Sequence, residues 1–226
     1  MRVALLGGSG YLGGLIMPYL KDSFELSVLD RAPPLGPYHY QPADADERPD
    51  LAGFEALIYM GMSRHSSGEY DVSSMDGVYD IHVKNLHRWL DAACQQGVKR
   101  ALYASSLSVF ATARPGDETP CDATDLYGFC KHLGEQVCAH ISRVQGLTTV
   151  ALRLGNPLSD EAWQEHVRLG AFHGQTAALD VARAFSLALT RPLSGFQAIN
   201  IAGDWRSPSS RAQQLLGWEP VTRPHG

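Results

Sequence analysis

Two side chains capable of acid–base chemistry, Tyr127 and Lys131, lie four positions apart in a segment with helical periodicity. Side chains at positions i and i+4 share one face of a helix, so the phenol and the ammonium would lie side by side. A free phenol has a pKa of about 10, and lowering it to neutrality takes about 4 kcal/mol. One ammonium at about 4–5 Å supplies about 3–4 kcal/mol at an effective dielectric constant near 20. The pair therefore predicts a tyrosine that takes a hydroxyl proton while a hydride leaves the same carbon for a nicotinamide cofactor.

A serine stands at the end of a predicted strand, Arg100–Ser105, upstream of that pair. Parallel α/β folds place ligand-binding groups at strand ends, so Ser106 would hold the reacting substrate oxygen against Tyr127. Ser105 or Ser108 fits the same role. Without such a partner, the spacing of Tyr127 and Lys131 is more typical of an ordinary surface helix.

The N-terminal segment has a glycine-rich turn between a predicted strand, Val3–Leu6, and a predicted helix, Tyr11–Leu20. Gly7 permits the tight turn, Gly10 lets a phosphate approach the backbone, and Gly13 lets the helix pack closely. The helix N-terminus then offers N–H groups to a pyrophosphate. The alternative is a flexible glycine turn without a ligand.

An acidic residue, Asp30, follows the second predicted strand, Glu25–Leu29. A carboxylate there accepts hydrogen bonds from adenosine ribose hydroxyls and repels a 2′-phosphate, which favours NAD over NADP. Arg31 follows directly and would accommodate that phosphate instead. Asp44 is either a partner of the adenine amine or a solvated loop acid.

Strand-like and helix-like segments alternate along the chain, which predicts an α/β fold with a Rossmann-type, doubly wound parallel sheet. Pro18 is expected to cost the first helix a hydrogen bond or to kink it. Asp180 or Thr176 is the expected N-cap of a later helix. The remaining predicted segments are strands at 38–41, 56–59, 149–154 and 198–201 and helices at 76–96, 127–144, 179–189 and 209–216.

The bulk composition of the 226 residues, 44% of them apolar and with a net charge of −5, suits one sizeable core. We expect a single domain, with a Rossmann core at about 1–155 plus 176–203 and a small substrate lobe at about 156–175 and 204–226. The sequence has no basic stretch with interleaved aromatics, so we do not expect nucleic acid as a partner. It also has no apolar run long enough for a membrane span, so we expect none. Four cysteines without CxxC spacing favour reduced thiols in the cytoplasm. The histidine spacings do not suggest a metal site.

The ordered motifs resemble the extended short-chain dehydrogenase/reductase family, the NAD-dependent epimerase/dehydratases. The motifs are the glycine turn with Asp30, Asn85, and the segments 98–110, 126–131, 152–156, 179–182 and 215–220. The resemblance implies that Ser106, Tyr127 and Lys131 are catalytic and that Lys131 also binds the nicotinamide ribose. The implied cofactor-binding residues are Gly7, Gly10, Tyr11, Leu12, Gly13, Asp30, Arg31, Asp44, Ala45, Met60, Gly61, Asn85, Tyr127 and Lys131.

The chain departs from the family pattern at the end of the fourth strand and in its C-terminal part. The fourth strand ends in Tyr59-Met-Gly-Met62 rather than a His-x-Ala-Ala-like run. The segment between Asn156 and Thr176 is too short for a typical nucleotide-sugar pocket, and uronate dehydrogenases are the nearest subtype in size. A sugar acid would need a cation for its carboxylate. The candidates, each of which is also readable as a solvated charge or loop histidine, are Arg64, Arg168, His166 and His173.

These features predict an NAD(P)-dependent oxidoreductase or epimerase acting on a secondary alcohol or lactol of a sugar or sugar acid. The alternatives are a redox-silent dinucleotide-binding sensor or regulatory protein, and a reductase of a small carbonyl compound. The expected partners are a small-molecule substrate and a second copy of the chain. The resemblance implies a homodimer formed through the helices predicted at 76–96 and 127–144.

Overall fold

The computed structural model describes residues 1–62, 72–112, 115–170, 174–203 and 210–222. Within these residues the strands are β1 Arg2–Leu6, β2 Glu25–Asp30, β3 His39–Pro42, β4 Ala56–Tyr59, β5 Arg100–Ser106, β6 Thr148–Leu154, β7 Pro157–Leu158, β8 Thr176–Ala177 and β9 Phe196–Ile201. The helices are α1 Tyr11–Leu20, α2 Val72–Tyr79, α3 Asn85–Gln95, α4 Leu126–Gln145, α5 Asp160–Leu169, α6 Ala178–Thr190 and α7 Ser210–Leu216.

One parallel sheet of seven strands organises the molecule, in the order β3-β2-β1-β4-β5-β6-β9. Because the strand order reverses between β1 and β4, their carboxyl ends flank the crevice where α/β folds bind ligands. Apolar side chains of α1 and α6 cover one face of the sheet, and those of α3 and α4 cover the other. The central strand β4 is buried at every position, as expected for a strand covered on both faces. The predicted Rossmann-type fold is confirmed.

The single helix predicted at 76–96 is instead three segments: α2, a π-helical turn at Asp80–Lys84, and α3. The wider turn shifts the phase of the helix and turns His82 into the core. Helix α1 continues through Pro18 to Leu20.

The expected N-cap of α6 is wrong, because Ala177 occupies that position. The Thr176 hydroxyl donates to the Gly155 carbonyl at 2.7 Å. The Asp180 carboxylate accepts the backbone N–H groups of Val221 and Thr222, both at 2.9 Å. Both candidate side chains are therefore committed to tertiary contacts rather than to the end of the helix.

The predicted substrate lobe contains helix α5 and strand β7, which pairs with β8 just beyond the predicted limit of the lobe. None of these three elements was predicted. The Ser159 hydroxyl caps α5 by accepting from Ala162 N at 3.2 Å, and Gly170 ends the helix with φ 65°. The lobe rests on α1, where the Tyr11 hydroxyl donates to the Pro157 carbonyl at 3.0 Å. No described helix has the length and apolar character needed to cross a bilayer.

Candidate active site

The glycine-rich turn brings its backbone unusually close to neighbouring chain segments. Gly7 has φ 78°, and a Cβ there would lie 2.8 Å from the Met60 carbonyl oxygen. A Cβ on Gly13 would lie 2.0 Å from the Gly8 carbonyl oxygen. The N-cap of α1, Gly10, offers no side-chain cap, and no acidic residue lies in the first turn. The first-turn N–H groups of α1 thus have no side-chain competitor, and the turn fits a pyrophosphate.

Two adjoining cavities, each of about 420 Å³, lie along the carboxyl edge of the sheet beside this turn. They share Gly7, Gly10, Met60 and Met62 and therefore form one cleft. The first cavity is lined mainly from β5, α4 and the segment after β6, and its residues with chemically active side chains are Ser105, Ser106, Ser108, Tyr127, Lys131 and Asn156. The second is lined at its far end by Asp30, Arg31, Ala32, Ala43 and Ala45.

The carboxylate of Asp30 is fixed at the edge of the second cavity. One oxygen accepts Ser9 N at 3.1 Å, and the other accepts Arg31 N at 2.7 Å. The Ser9 hydroxyl donates to the Ala32 carbonyl at 2.6 Å and closes the turn. Each carboxylate oxygen keeps a further acceptor site, so the group is preorganised for a pair of hydroxyl donors.

The first cavity contains the predicted serine, tyrosine and lysine together. The Lys131 ammonium donates to the Ala104 carbonyl at 2.7 Å and lies 5.4 Å from the centre of the Tyr127 ring. Ser106 acts on the Tyr127 phenol, and its own hydroxyl donates to the Ser108 hydroxyl at 3.1 Å. Ser105 instead donates to Glu135 at 2.7 Å. The structure therefore brings Ser106, of the predicted serines, to the tyrosine.

The titration of the pair differs from the expectation. Burial raises the pKa of Tyr127, the Ser106 side chain opposes that rise, and Asp125 adds to it. The expectation that Lys131 holds the tyrosine pKa low is therefore wrong in this structure. Burial lowers the pKa of Lys131 to about 7, while Glu135 acts to raise it. Lys131 is therefore the group of the pair whose pKa lies near neutrality.

A histidine that was not predicted as a site residue, His82, lies beside the tyrosine. The His82 ring is fully buried, meets the Tyr127 ring edge-on at 6.0 Å between centres, and has its Nδ1 3.3 Å from the Tyr103 hydroxyl. Burial, followed by the charge of Lys131, lowers the pKa of His82 well below its usual value. The π-helical turn that places it here has no clear signature in the sequence.

One group of side chains, Cys121, His132 and Glu135, has the composition of a metal site. The Nδ1 of His132 is 3.7 Å from a Glu135 carboxylate oxygen. The guanidinium of Arg153 donates to Glu135 at 2.7 Å and to the Cys121 sulfur at 3.2 Å. The space between the thiol and the carboxylate therefore already contains a cation.

Most of the predicted cofactor residues line the cleft, but Gly13, Asp44 and Asn85 do not. Gly13 acts in packing, as described above. The Asp44 carboxylate accepts the backbone N–H of Asp46 at 3.1 Å. The Asn85 amide donates to Asp46 at 2.8 Å. The lining residues that were not predicted as site residues are Leu6, Ser9, Ala32, Ala43, Met62, Ile81, Ala104, Leu154, Asn156 and Pro157.

Asn156, which was not predicted as a site residue, has an unusual backbone conformation. It has a positive φ of 25°, which no other described non-glycine residue has, and it lies two residues after the end of β6 at the cleft. A residue at positive φ after a strand often marks a functional position. The candidate cations behave differently: Arg168 is exposed and paired with Glu165, and His166 bonds the Ala162 carbonyl. Arg64 and His173 lie outside the described residues.

Comparison with known proteins identifies the class of protein that this fold and cleft define. A model of the NAD dependent epimerase/dehydratase family matches residues 3–169. The chain belongs to that family.

Among curated relatives, an Escherichia coli O157:H7 N-acetyl-alpha-D-glucosaminyl-diphospho-ditrans,octacis-undecaprenol 4-epimerase is 27% identical over 60% of this chain and 42% of its own length. A uronate dehydrogenase from Pseudomonas putida is 26% identical over 69% of this chain and 60% of its own length. The matches thus span less than two thirds of both relatives. A solved short-chain dehydrogenase/reductase superfamily protein from Agrobacterium tumefaciens, with bound NAD, superposes with a TM-score of 0.82 at 17% identity, covering 99% of this chain and 93% of its own.

Proposed function

We propose that the chain is an NAD-dependent oxidoreductase or epimerase that acts on a secondary alcohol or lactol of a sugar or sugar acid. The observation that carries the proposal is the meeting of Ser106, Tyr127 and Lys131 in a cavity continuous with the glycine turn. Binding a dinucleotide alone requires only the turn and Asp30. A phenol beside a buried ammonium and a hydroxyl adds the acid–base equipment for reaction at a carbinol carbon.

The chain's own residues supply the proton chemistry. Ser106 orients the substrate hydroxyl, and Tyr127 takes its proton when the Tyr127–Lys131 pair holds one proton instead of two. Lys131 keeps its position through the Ala104 carbonyl and stabilises negative charge on the phenol oxygen. A bound nicotinamide would accept the hydride from the same carbon. Oxidation of the alcohol should therefore speed up as the pH rises through about 7, the value to which burial lowers the pKa of Lys131.

The proposed cofactor is NAD, held by residues of both cavities. The first turn of α1 would bind the pyrophosphate, and the preorganised Asp30 carboxylate would bind the adenosine ribose hydroxyls. A 2′-phosphate at this position would face that fixed negative charge, which supports NAD over NADP. The Agrobacterium neighbour contains bound NAD. The neighbours also include a UDP-N-acetylglucosamine 4-epimerase from Bacillus cereus, which supports a sugar as the substrate class.

The test begins with thermal shift of the purified protein in NAD and in NADP, where we expect a larger shift with NAD. Turnover is then followed through nicotinamide absorbance or product analysis on a panel of uronic acids, sugar phosphates and UDP-sugars. Tyr127→Phe should lower kcat by at least about 100-fold, the usual contribution of a general acid–base, and leave NAD affinity nearly unchanged.

Tyr19→Phe is the matched control, because Tyr19 is an exposed residue of α1 outside both cavities. Full activity in Tyr127→Phe would refute the catalytic role of the tyrosine. Tight NAD binding with no turnover on any substrate of the panel would favour the sensor alternative.

A further inference from the structure

A buried ion pair lies one helical turn below the catalytic lysine. Glu135 is i+4 from Lys131 on α4 and is 1% exposed. Its two oxygens accept from Arg153, through Nε at 2.8 Å and Nη2 at 2.7 Å. The first of these oxygens also accepts from the Ser105 hydroxyl at 2.7 Å. A fully bonded buried carboxylate of this kind has no obvious use in the chemistry proposed above.

The contacts of this ion pair lead to all three catalytic residues. Ser105 precedes Ser106 on β5, so the Glu135–Ser105 bond fixes the strand end that presents Ser106. Arg153 lies on β6 and stacks over the Phe110 ring at 4.9 Å, which anchors Glu135 to the neighbouring strand. Tyr127 and Lys131 share helix α4 with Glu135, so the same carboxylate fixes the helix relative to the sheet.

The negative charge of Glu135 favours the protonated, ammonium form of Lys131. Burial in the core disfavours that ammonium, and Glu135 opposes the effect. Burial acts to raise the pKa of Glu135, but the hydrogen bonds from Arg153 and Ser105 help to hold it below its ordinary value, so the carboxylate stays ionised. The titratable and charged groups facing the Lys131–Glu135 pair are His82 from the π-helical turn, Tyr103 from β5, Tyr127, His132 and Cys138 from α4, Arg153 from β6, and Cys121 from the preceding loop.

We propose that Glu135, held by Arg153, is a positioning residue that keeps Lys131 in its ammonium form and Ser106 at the strand end. The role rests on the proposed function, because it serves the Ser106, Tyr127 and Lys131 chemistry. Arg153 and the Ser105 hydroxyl donate hydrogen bonds to the Glu135 carboxylate, which keep it ionised inside the protein. The arrangement therefore sets the pH at which the catalytic pair changes its proton count.

The charge of Lys131 is directly measurable in the protein without substrate. The chain has four lysines, Lys21, Lys84, Lys99 and Lys131, so selective ¹³C labelling gives a short set of NMR titration curves. The Lys131 resonance is the one that disappears in Lys131→Met. In Glu135→Gln, which keeps the shape but removes the charge, the Lys131 midpoint should fall by about one unit, a tenfold change in its acid dissociation constant.

The control and the back-up variant separate charge from packing. Ser105→Ala removes one hydrogen bond to the same carboxylate without changing charge, and we expect its Lys131 midpoint to stay within about 0.3 units of the wild type, much less than the charge effect. If Glu135→Gln fails to fold with Arg153 unpaired, Glu135→Gln/Arg153→Met removes both charges, and the midpoint should still fall at least threefold in dissociation constant. Glu135→Asp should restore most of the wild-type midpoint.

An unchanged Lys131 midpoint in the folded Glu135 variants, or an equal shift in Ser105→Ala, would overturn the proposal. Since the titration needs neither cofactor nor substrate, such a result would leave the proposed function untouched. Conversely, full activity in Tyr127→Phe together with the expected shift of the Lys131 midpoint would refute the proposed function but not the effect of Glu135 on Lys131. The corresponding acidic shift in the pH profile of kcat/KM is the second readout once a substrate is known.

Discussion

Lys131 is a lysine whose burial has a large effect on its charge. Its side chain is 2% exposed, and the nearest acceptor is a backbone carbonyl rather than a carboxylate. Burial disfavours an ammonium, which lowers the pKa of Lys131 to about 7 from 10.5. An enzyme that needs a proton to leave near neutral pH benefits from such a group, even though it lowers stability.

This cost is measurable as a pH dependence of stability. Because the pKa of Lys131 is lower in the folded protein than in the unfolded chain, the unfolded chain binds more protons between pH 7 and pH 10. The free energy of unfolding should therefore rise with pH in this range, by about 2 kcal/mol from pH 7 to pH 9 relative to Lys131→Met. Urea unfolding at pH 7, 8 and 9 measures the difference.

Lys99→Met is the control for this series, because Lys99 is exposed and should show no such slope. Parallel stability curves of the wild type and Lys131→Met from pH 7 to pH 9 would show that folding does not lower the pKa of Lys131.

Much of the candidate active site was predictable from the sequence at the level of residue identity, but its electrostatics were not. The spacing of Tyr127 and Lys131 and the strand before Ser106 were enough to predict three residues that the structure brings into one cavity. The direction of the Tyr127 pKa shift depends on how deeply the ring is covered by other elements. His82 depends on a π-helical turn, and neither property follows from local sequence.

Among the elements, the glycine turn and α1 are the most sharply specified by sequence. Gly13 and Gly14 are neighbours in the same helix, yet their surroundings are opposite. A Cβ on Gly13 would lie 2.0 Å from the Gly8 carbonyl oxygen, whereas a Cβ on Gly14 meets nothing within 4 Å. Alanine substitutions at the two positions therefore distinguish the intrinsic cost of a glycine in a helix from the need for a glycine in the close packing of the turn.

Gly13→Ala should destabilise the protein by about 2 kcal/mol or more, because the turn must shift to admit the methyl group. It should also weaken NAD binding, since the same shift moves the first-turn N–H groups of α1. Gly14→Ala should instead stabilise by about 0.5–1 kcal/mol through helix propensity. Thermal unfolding and NAD titration of both variants measure these effects. Equal behaviour of the two would contradict the packing role of Gly13.

Strands were easier to predict than helix ends. The buried strands are apolar runs between turn residues, so all seven strands of the sheet were located within about two residues, the usual uncertainty of element ends. Helix α5 was missed although Ser159, the acidic first turn and Gly170 are standard end signals, because the lobe was treated as loop. The cap of α6 was wrong because Thr176 and Asp180 bind distant residues. Local rules do not anticipate such tertiary competition.

At the scale of the whole molecule, several chain segments converge on the cleft from both halves of the sequence. The N-terminal half supplies the glycine turn and Asp30, and the later part supplies Tyr127, Lys131 and Asn156. The lobe at α5 is tied to α1 through Tyr11, next to the glycine turn. Substrate and cofactor would therefore share one rigid support. The homodimer, the cytoplasmic location and the domain limits stay predictions.

The described C-terminal residues are joined to the core through one buried carboxylate. Asp180 is completely buried in α6 and accepts hydrogen bonds from Val221 N and Thr222 N at 2.9 Å and from Arg183 at 3.1 Å. The Trp218 indole adds a bond to the Asp180 carbonyl at 2.9 Å. Through these bonds Asp180 holds residues 217–222 against helix α6.

Asp180→Asn tests how much stability this clasp contributes. The amide has the same shape, but it loses the charge that pairs with Arg183 and turns one acceptor into a donor facing a backbone N–H. Leaving buried donors without an acceptor should lower the free energy of unfolding by about 2–4 kcal/mol.

The control is Asp22→Asn, at an exposed position, which should change the free energy of unfolding by less than about 0.5 kcal/mol. Because Asp180 lines neither cavity of the cleft, the folded fraction of Asp180→Asn should keep its NAD affinity. Urea unfolding together with NAD titration checks both parts, and a loss no larger than that of the control would show that the C-terminal segment is held by its apolar contacts instead.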